Sequence, residues 1–231
     1  MRGLYPIVDV TSLVARGIEP VAFAQALLEA RPAAIQLRAK DLPPRDTLGL
    51  LRALASLCHN EGVSLVANDR PDLALLAGCD LVHIGQTDMP IDRVRRIAPA
   101  LGVGVSTHDL GQLDAALATR PAYVAFGPVF ETGSKTNPDP VVGLAEVGKA
   151  SARASIASVP LVAIGGITLE RAKALVGLVD AVAVIADLLP PADIAASDAM
   201  KYVTARAREL HALFAAARPP GPVVTGTAAA R

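Results

Sequence analysis

The chain has 231 residues, of which 52% are hydrophobic and 19% are charged, and its 22 basic residues balance 22 acidic ones. Such a chain can bury a large core, and its even charge gives no electrostatic attraction to nucleic acid or to an anionic membrane. Because it has no tryptophan and only 3% aromatic residues, it also lacks the stacking platforms that bind single-stranded nucleic acid, so we expect neither nucleic acid nor membrane as a partner.

Short β-branched runs alternate with helical patterns along the chain. The predicted strands are 4–10, 33–37, 64–67, 81–84, 102–105, 123–126, 160–164 and 181–185. The helical patterns between and after them are 20–30, 43–62, 72–78, 91–101, 109–120, 144–155, 168–178 and a last helix through Phe214. Most of these helices begin near Asp or Pro, as helix starts commonly do.

This alternation predicts a single α/β domain. Strands such as LVHI and PLVAI are apolar on both faces, as parallel strands covered by helices are. Eight strand-helix units without a break favour a closed (β/α)8 TIM barrel over a doubly wound open sheet. We therefore predict one TIM-barrel domain over residues 1–217. The remaining 218–231, RPPGPVVTGTAAAR, has no hydrophobic period and is predicted to be a disordered tail.

The sequence also predicts where the protein is located and the state of its two cysteines. No apolar run approaches the roughly 20 residues of a membrane span, and the start, MRGLYPIVDV, lacks the pattern of a signal peptide. We therefore expect a cytoplasmic protein. Cys58 and Cys79 lie in or beside apolar segments, which favours buried thiols over a disulfide or a metal framework.

Polar and glycine residues collect just after the predicted strands, where a barrel builds its active site. The set is Gln36, Arg38, Lys40, Asn68, Asp69, Gln86, Asp88, Ser106, His108, Thr132, Ser134, Lys135, Gly165 and Gly166, followed by Ile185 and Ala186 after the last strand. The opposite ends of the strands carry little comparable chemistry. This asymmetry predicts that the site lies at the carboxyl ends.

Asp69 and Asp88 follow consecutive strands, which in a parallel barrel are usually neighbours about 4.8 Å apart. Their carboxylates can therefore reach the same point, and two like charges there favour a bound cation. Mg²⁺, which binds through one or two carboxylates with phosphate and water, fits better than Zn²⁺. The alternative for each Asp is an ordinary turn or helix cap.

Three cations arrive from two other loops. Arg38 and Lys40 follow the second strand, and Lys135 lies in a long loop beside the hydroxyl groups of Thr132 and Ser134. Near a metal in a neutral protein, these cations predict a multiply charged anion such as diphosphate. Separately, each would be a solvated surface charge.

Gly165 and Gly166 follow the seventh strand and precede a helix that starts near Thr168. Backbone amides at such a helix start, and at the start of the helix after the eighth strand, can bind a second anion. The loops after strands seven and eight are the usual monophosphate site of these barrels. A tight turn is the alternative for a lone pair of glycines.

The histidines are less informative. His83 lies inside the apolar LVHI, which favours a core or wall residue over a catalyst. His108 lies in a substrate-facing loop, where a helix cap, a hydrogen-bond donor and a general base are all open. The chain has no G-x-S-x-G, Walker or G-x-G-x-x-G pattern, so serine hydrolysis, nucleotide cleavage and dinucleotide redox chemistry lose their usual support.

The motifs QLRAK, ANDRPDLAL, VHIGQTD, GVSTH, AFGPVFETGSK and VAIGGIT, in this order, resemble the signature of the thiamine-phosphate synthase family over roughly residues 4–189. The resemblance implies a (β/α)8 transferase that joins 4-amino-2-methyl-5-pyrimidinylmethyl diphosphate to 4-methyl-5-(2-phosphoethyl)thiazole and releases diphosphate. It places the diphosphate substrate on Gln36, Arg38, Lys40, Asn68, Ser106 and Lys135, and Mg²⁺ on Asp69 and Asp88. The thiazole phosphate falls on Thr132, Ser134, Gly166, Ile185 and Ala186.

The implied chemistry is electrostatic and positional, with Arg38, Lys40, Ser106 and Lys135 as the expected catalytic residues. The family commonly has Glu where this chain has Ala39, which removes an orienting partner for the cations, and Ser in place of Ala186. Two alternatives stay open: a thiazole tautomerase of the same superfamily, which would need neither metal nor diphosphate site, and a non-catalytic barrel that binds a phosphate ligand. A homo-oligomer is also possible.

Overall fold

The computed structural model describes residues 1–133 and 139–215. Its strands are β1 Gly3–Asp9, β2 Ala34–Arg38, β3 Ser64–Asn68, β4 Leu81–Ile84, β5 Gly102–Thr107, β6 Tyr123–Phe126, β7 Leu161–Ile164 and β8 Ala181–Val184. All neighbours pair in parallel, and β8 closes on β1, so the strands form one barrel in sequence order. The predicted (β/α)8 TIM barrel is confirmed.

Helices cover the outside of the barrel. They are α1 Val10–Val14, α2 Pro20–Leu28, α3 Pro44–Asn60, α4 Pro71–Ala77, α5 Ile91–Ile97, α6 Leu110–Ala118, α7 Gly143–Ala157, α8 Leu169–Ala172 and α9 Ala196–Ala215, with 3-10 turns at Lys173–Leu175 and Ala186–Leu188. None of the helices in the described part of the chain is long and apolar enough to cross a membrane.

Two helices differ most from the sequence prediction. The short α1 was not predicted; Asp9 starts it by accepting hydrogen bonds from the amide and hydroxyl groups of Ser12. The helix predicted over 168–178 is instead a four-residue α8 followed by a 3-10 turn, and Gly177 lies beyond it with φ +83°. A left-handed residue cannot continue a right-handed helix, so the helical pattern there overstates the length.

The core has two separate parts. Aliphatic side chains of the strands and helices form the outer one, which includes both cysteines. The inner one fills the barrel with Tyr5 and Tyr123 together with small and β-branched residues such as Ala34 and Val66. Large side chains beside small ones are how a narrow barrel is filled without voids.

The cysteine prediction is confirmed, because Cys58 and Cys79 are buried free thiols. Burial, with a contribution from Asp80, raises the pKa of both thiols to about 12, so they stay protonated at neutral pH. The predicted tail, 218–231, lies outside the described residues.

Gly104 on β5 offers a test of the inner packing. A Cβ atom there would overlap the ring of Tyr123, whereas at Gly49, in the middle of α3, it would meet no atom within 4 Å. We expect Gly104→Ala to lower the free energy of unfolding by about 1–3 kcal/mol or more, because the core is overpacked. Gly49→Ala should raise it by about 0.5–1 kcal/mol through helix propensity. Urea unfolding of both variants measures the difference, and an equal response would contradict the packing argument.

Candidate active site

A pocket of about 890 Å³ opens at the carboxyl ends of the strands. It brings together the predicted residues that the structure describes: Gln36, Arg38, Lys40, Asn68, Asp69, Gln86, Asp88, Ser106, His108, Thr132, Gly165, Gly166, Ile185 and Ala186. Ser134 and Lys135 fall within 134–138 and lie outside the described residues. The expectation that polar residues after the strands would meet in one place is therefore met for each residue that the structure describes.

Side-chain alternation along the strands explains this convergence. Gln36 and Arg38 are two residues apart on β2, so both face the inside of the barrel, and Ser106 on β5 does the same. Asn68 ends β3 on the inner face, and Asp69 follows it with φ +62°, a left-handed conformation that interrupts the alternation. Two successive residues, Asn68 and Asp69, can thus both line the pocket.

The two carboxylates of the predicted metal site interact. Burial raises the pKa of Asp69; Asp88 raises it further by charge repulsion, while Lys40 opposes the shift. The ammonium of Lys40 lies 3.1 Å from Oδ2 of Asp69. Asp88 accepts a hydrogen bond from the backbone amide of Gly85 at 2.7 Å, which closes its turn. The site therefore concentrates negative charge that a cation would relieve.

The helix-cap alternative for these residues is wrong. The N-cap of α4 is Arg70 and that of α5 is Pro90, and neither caps through its side chain. Asp69 and Asp88 each precede the cap position, so their carboxylates are directed to the pocket and its loop instead. The ordinary-turn alternative is correct for Asp88, in addition to its place in the pocket.

The donor set fits Mg²⁺. The described residues contain no group of three or more His, Cys, Asp and Glu side chains that could hold a metal. A zinc site, which needs three or four protein ligands of this kind, does not match that arrangement. Mg²⁺ usually binds through one or two carboxylates and completes its shell with water and substrate phosphate. Asp69 and Asp88 supply such a pair.

Asp9, at the end of β1, supports a pocket residue and was not predicted from the sequence. It is 5% exposed and forms a close ion pair with the guanidinium of Arg38. The first predicted strand ran through Val10, which placed Asp9 inside the strand rather than at its end. The orienting partner whose absence was inferred from Ala39 is thus supplied to Arg38 by Asp9, and to Lys40 by Asp69.

The two glycines after β7 allow a close approach of two loops. Gly165 and Gly166 have φ +97° and +63°, and a Cβ at either would overlap Pro128 or the backbone of Glu131. A tight, crowded turn is therefore present, as the alternative predicted. Gly166 lies in the same pocket as Ile185 and Ala186.

Two backbone amides in the first turn of α8 already have partners within the protein. The amide of Leu169 donates to Asp187 at 2.9 Å, and that of Arg171 donates to the hydroxyl of Thr168 at 3.2 Å. Arg171 is a cation of the site that the sequence did not indicate, because it lines the pocket and donates to the carbonyl of Gly166 at 2.8 Å. The helical pattern TLERA concealed Arg171 as an ordinary helix residue.

His108 joins the two ends of the long loop between β6 and α7. Its Nδ1 donates to the carbonyl of Gly127 at 2.6 Å, and its Nε2 lies 3.5 Å from a carboxylate oxygen of Asp139. The helix-cap option for His108 is wrong, because Asp109 caps α6. The hydrogen-bond donor option is correct. His83 is 7% exposed and forms part of the pocket wall, as predicted.

Comparison with known proteins connects this site to a family. Residues 4–188 match the family model described as thiamine monophosphate synthase. The thiamine-phosphate synthase of Koribacter versatilis is 42% identical over 80% of this chain and 88% of its own length, and that of Methanoculleus marisnigri is 37% identical over 94% and 98%. The solved thiamine phosphate pyrophosphorylase of Pyrococcus furiosus has a TM-score of 0.76 and 29% identity, covering 91% of this chain and 94% of that one.

The pair of Asp9 and Arg38 can be tested without losing the cap of α1. Asp9→Asn keeps a carbonyl oxygen for Ser12 but loses the charge that holds Arg38, so we expect the free energy of unfolding to fall by about 1.5–3 kcal/mol. Asp109→Asn is the matched control. Asp109 caps α6 through the amide of Gln112 and forms no ion pair with any described residue. Its change should stay within about 0.5 kcal/mol; equal losses in guanidinium unfolding would contradict the role of the pair.

Proposed function

The chain belongs to the thiamine monophosphate synthase family, and on this premise we propose that it joins 4-amino-2-methyl-5-pyrimidinylmethyl diphosphate to 4-methyl-5-(2-phosphoethyl)thiazole at the pocket described above. The enzyme is a transferase, as thiamine-phosphate synthases are. The products of the proposed reaction are thiamine phosphate and diphosphate.

One observation carries this proposal: an interacting carboxylate pair, Asp69 and Asp88, shares a pocket with the cations Arg38 and Lys40. A metal and a diphosphate need such a combination, because the metal requires anionic ligands and the diphosphate requires cations. A thiazole tautomerase of the same superfamily would need neither. The family match and this pair therefore both favour the synthase.

We assign Mg²⁺ to Asp69 and Asp88. When bound, the ion would neutralise charge on the diphosphate. Arg38 and Lys40 lie in the same pocket and would stabilise the negative charge that grows on diphosphate as its bond to the pyrimidinyl methylene carbon breaks. Lys135 is proposed to assist them from the adjoining loop, although it lies outside the described residues.

The electron pair of the broken bond leaves with diphosphate. The electron-rich pyrimidine then bears the positive charge until the thiazole nitrogen forms the new bond to the methylene carbon. No strong general base is needed for this dissociative substitution. Gln36, Asn68 and Ser106 would orient the pyrimidine substrate, since all three face the inside of the barrel.

The phosphate of the thiazole substrate is assigned to the opposite part of the pocket. The proposed contacts are Thr132, Ser134, Gly166, Ile185 and Ala186, of which Ser134 lies outside the described residues. Ala186 lacks the hydroxyl that the family commonly has, so only its backbone amide would serve. With two anion sites in one pocket, both substrates can be held in line for reaction.

A non-catalytic phosphate-binding barrel has little support. Only Ala39 favoured it, and the neighbouring cations have acidic partners in Asp9 and Asp69 despite that residue. The cytoplasmic location and the homo-oligomer stay predictions from the sequence.

Diphosphate release tests the reaction itself. The purified protein is mixed with the pyrimidine diphosphate and the thiazole phosphate, with Mg²⁺ or with a chelator. We expect release of diphosphate only when both substrates and Mg²⁺ are present, because Asp69 and Asp88 are proposed to be the metal ligands. Absence of Mg²⁺-dependent release would overturn the proposal.

Asp88→Asn tests the metal assignment. Loss of a charged ligand should weaken Mg²⁺ binding and reduce turnover by at least ~10-fold, the lower end of what even indirect metal contacts cost. Asp72→Asn is the control. Asp72 lies on the neighbouring α4, pairs with Arg70 and does not line the pocket. Calorimetric Mg²⁺ titration and steady-state rates measure both effects. If the Asp88 variant kept the affinity and turnover of the parent, the metal role would be wrong.

A further inference from the structure

Four side chains form a hydrogen-bonded relay that crosses the barrel interior below the pocket. Nε2 of Gln36 lies 2.6 Å from the hydroxyl of Tyr5, which lies 2.7 Å from the hydroxyl of Tyr123. That hydroxyl in turn lies 2.9 Å from Nδ1 of His83. The four residues come from β2, β1, β6 and β4, and none is more than 7% exposed. Gln36 and His83, the two ends of the relay, line the pocket.

The packing around the relay holds its members in place. The rings of Tyr5 and Tyr123 meet edge to face with centroids 5.6 Å apart, and the ring of His83 stacks on Tyr123 at 5.7 Å. Tyr123 occupies the space that a side chain at Gly104 would fill. Burial raises the pKa of both tyrosines, so each hydroxyl keeps its proton. Both hydroxyl groups are therefore neutral and carry one proton each.

The proton count gives the relay a direction. A hydroxyl has one proton to donate, and Tyr5 already receives the proton of the Gln36 amide nitrogen. Every hydroxyl proton then has an acceptor if Tyr5 donates to Tyr123 and Tyr123 donates to Nδ1 of His83. Reversing only one of these bonds would leave a hydroxyl proton without an acceptor among the four side chains. The orientation of the Gln36 amide is thus coupled to His83, three bonds away along the relay.

We propose that Tyr5, Tyr123 and His83 are positioning residues that fix the amide of Gln36, so that its carbonyl oxygen selects a pyrimidine diphosphate bearing an amino group over one bearing an oxo group. The inference rests on the proposed function, in which Gln36 contacts the pyrimidine. Because Nε2 is committed to Tyr5, the amide presents Oε1 to the pocket as an acceptor. Among described residues, no donor to Oε1 is present.

Ligand chemistry follows from this orientation. An amino group on a pyrimidine ring donates a hydrogen bond, and the ring nitrogen beside it accepts one. A Gln amide matches that pair with its carbonyl oxygen and its second N–H, as Asn and Gln do when they bind adenine. An oxo group would place an acceptor against Oε1 and leave both oxygens unpaired. A fixed amide therefore discriminates, whereas a freely turning amide accepts either ligand.

Binding measurements on hydroxyl-deletion variants test the relay. The dissociation constants of the aminopyrimidine diphosphate, of its oxo analogue and of inorganic diphosphate are measured by calorimetry with Mg²⁺ and without the thiazole phosphate. In the parent protein, we expect the amino compound to bind at least about tenfold more tightly than the oxo analogue.

Tyr123→Phe is the decisive variant, because Tyr123 is hydrogen-bonded to Tyr5 and His83 but not to Gln36. Without its hydroxyl, the proton of Tyr5 loses its acceptor and turns to Oε1 of Gln36, which rotates the amide. The preference for the amino compound should fall at least about tenfold or reverse, while the affinity for inorganic diphosphate stays unchanged. Tyr5→Phe should also reduce the preference, since the amide is then unrestrained, and it serves if Tyr123→Phe does not fold.

Tyr202→Phe is the matched control, because this third tyrosine lies on α9 outside the barrel and contacts Arg206. It should leave all three constants unchanged. If the parent discriminates but both relay variants keep the full preference, the relay is only packing and the inference is wrong. If the parent binds inorganic diphosphate but not the aminopyrimidine compound, the proposed function fails first, and the inference falls with it.

Discussion

Closure of eight short parallel strands into a barrel is the constraint on which the rest of the structure depends. Closure gives every strand an inner and an outer face, and alternation sends each second side chain inward. Gln36 and Arg38 on β2 reach the same pocket as Ser106 on β5 for this reason alone, although the two strands are far apart in the sequence. Asp69 joins them through a left-handed backbone rather than through alternation.

Ion pairs hold the charged side chains of the pocket in place, although the protein as a whole has no net charge. Asp9 pairs with Arg38, and Asp69 pairs with Lys40, so both of these cations have an acidic partner before any ligand binds. The two carboxylates at Asp69 and Asp88 are the exception, because they lie close enough to repel each other. Such repulsion reduces the stability of the empty protein and favours a cation there, which is the usual conflict between stability and function at a binding site.

The sequence predicted the strands well because apolar runs between helical patterns leave little ambiguity, and the rule that barrel sites lie after the strands then located most of the pocket. Asp9 escaped because a one-residue error placed it inside β1. The length of α8 was overestimated, since the apolar pattern of 168–178 continues through a backbone that turns left-handed at Gly177. The interpretation of Asp69 and Asp88 as helix caps could be rejected only from the structure, because it depends on which residues begin α4 and α5.

The hydrogen bond between the two tyrosines could not be predicted from the sequence for a different reason. Alternation can place Tyr5 and Tyr123 on the inner face, but their contact joins β1 to β6 across the barrel, and no local pattern reports a pairing over 118 residues of sequence. Which side chains meet across the interior depends on the strand register and on the small residues around them.

The division of the core into two clusters that share no residue has an evolutionary consequence. Helices can exchange one aliphatic residue for another on the outside of the barrel while the inner cluster, which supports the pocket, keeps its shape. The outer cluster can then accumulate substitutions without changing the residues that line the pocket.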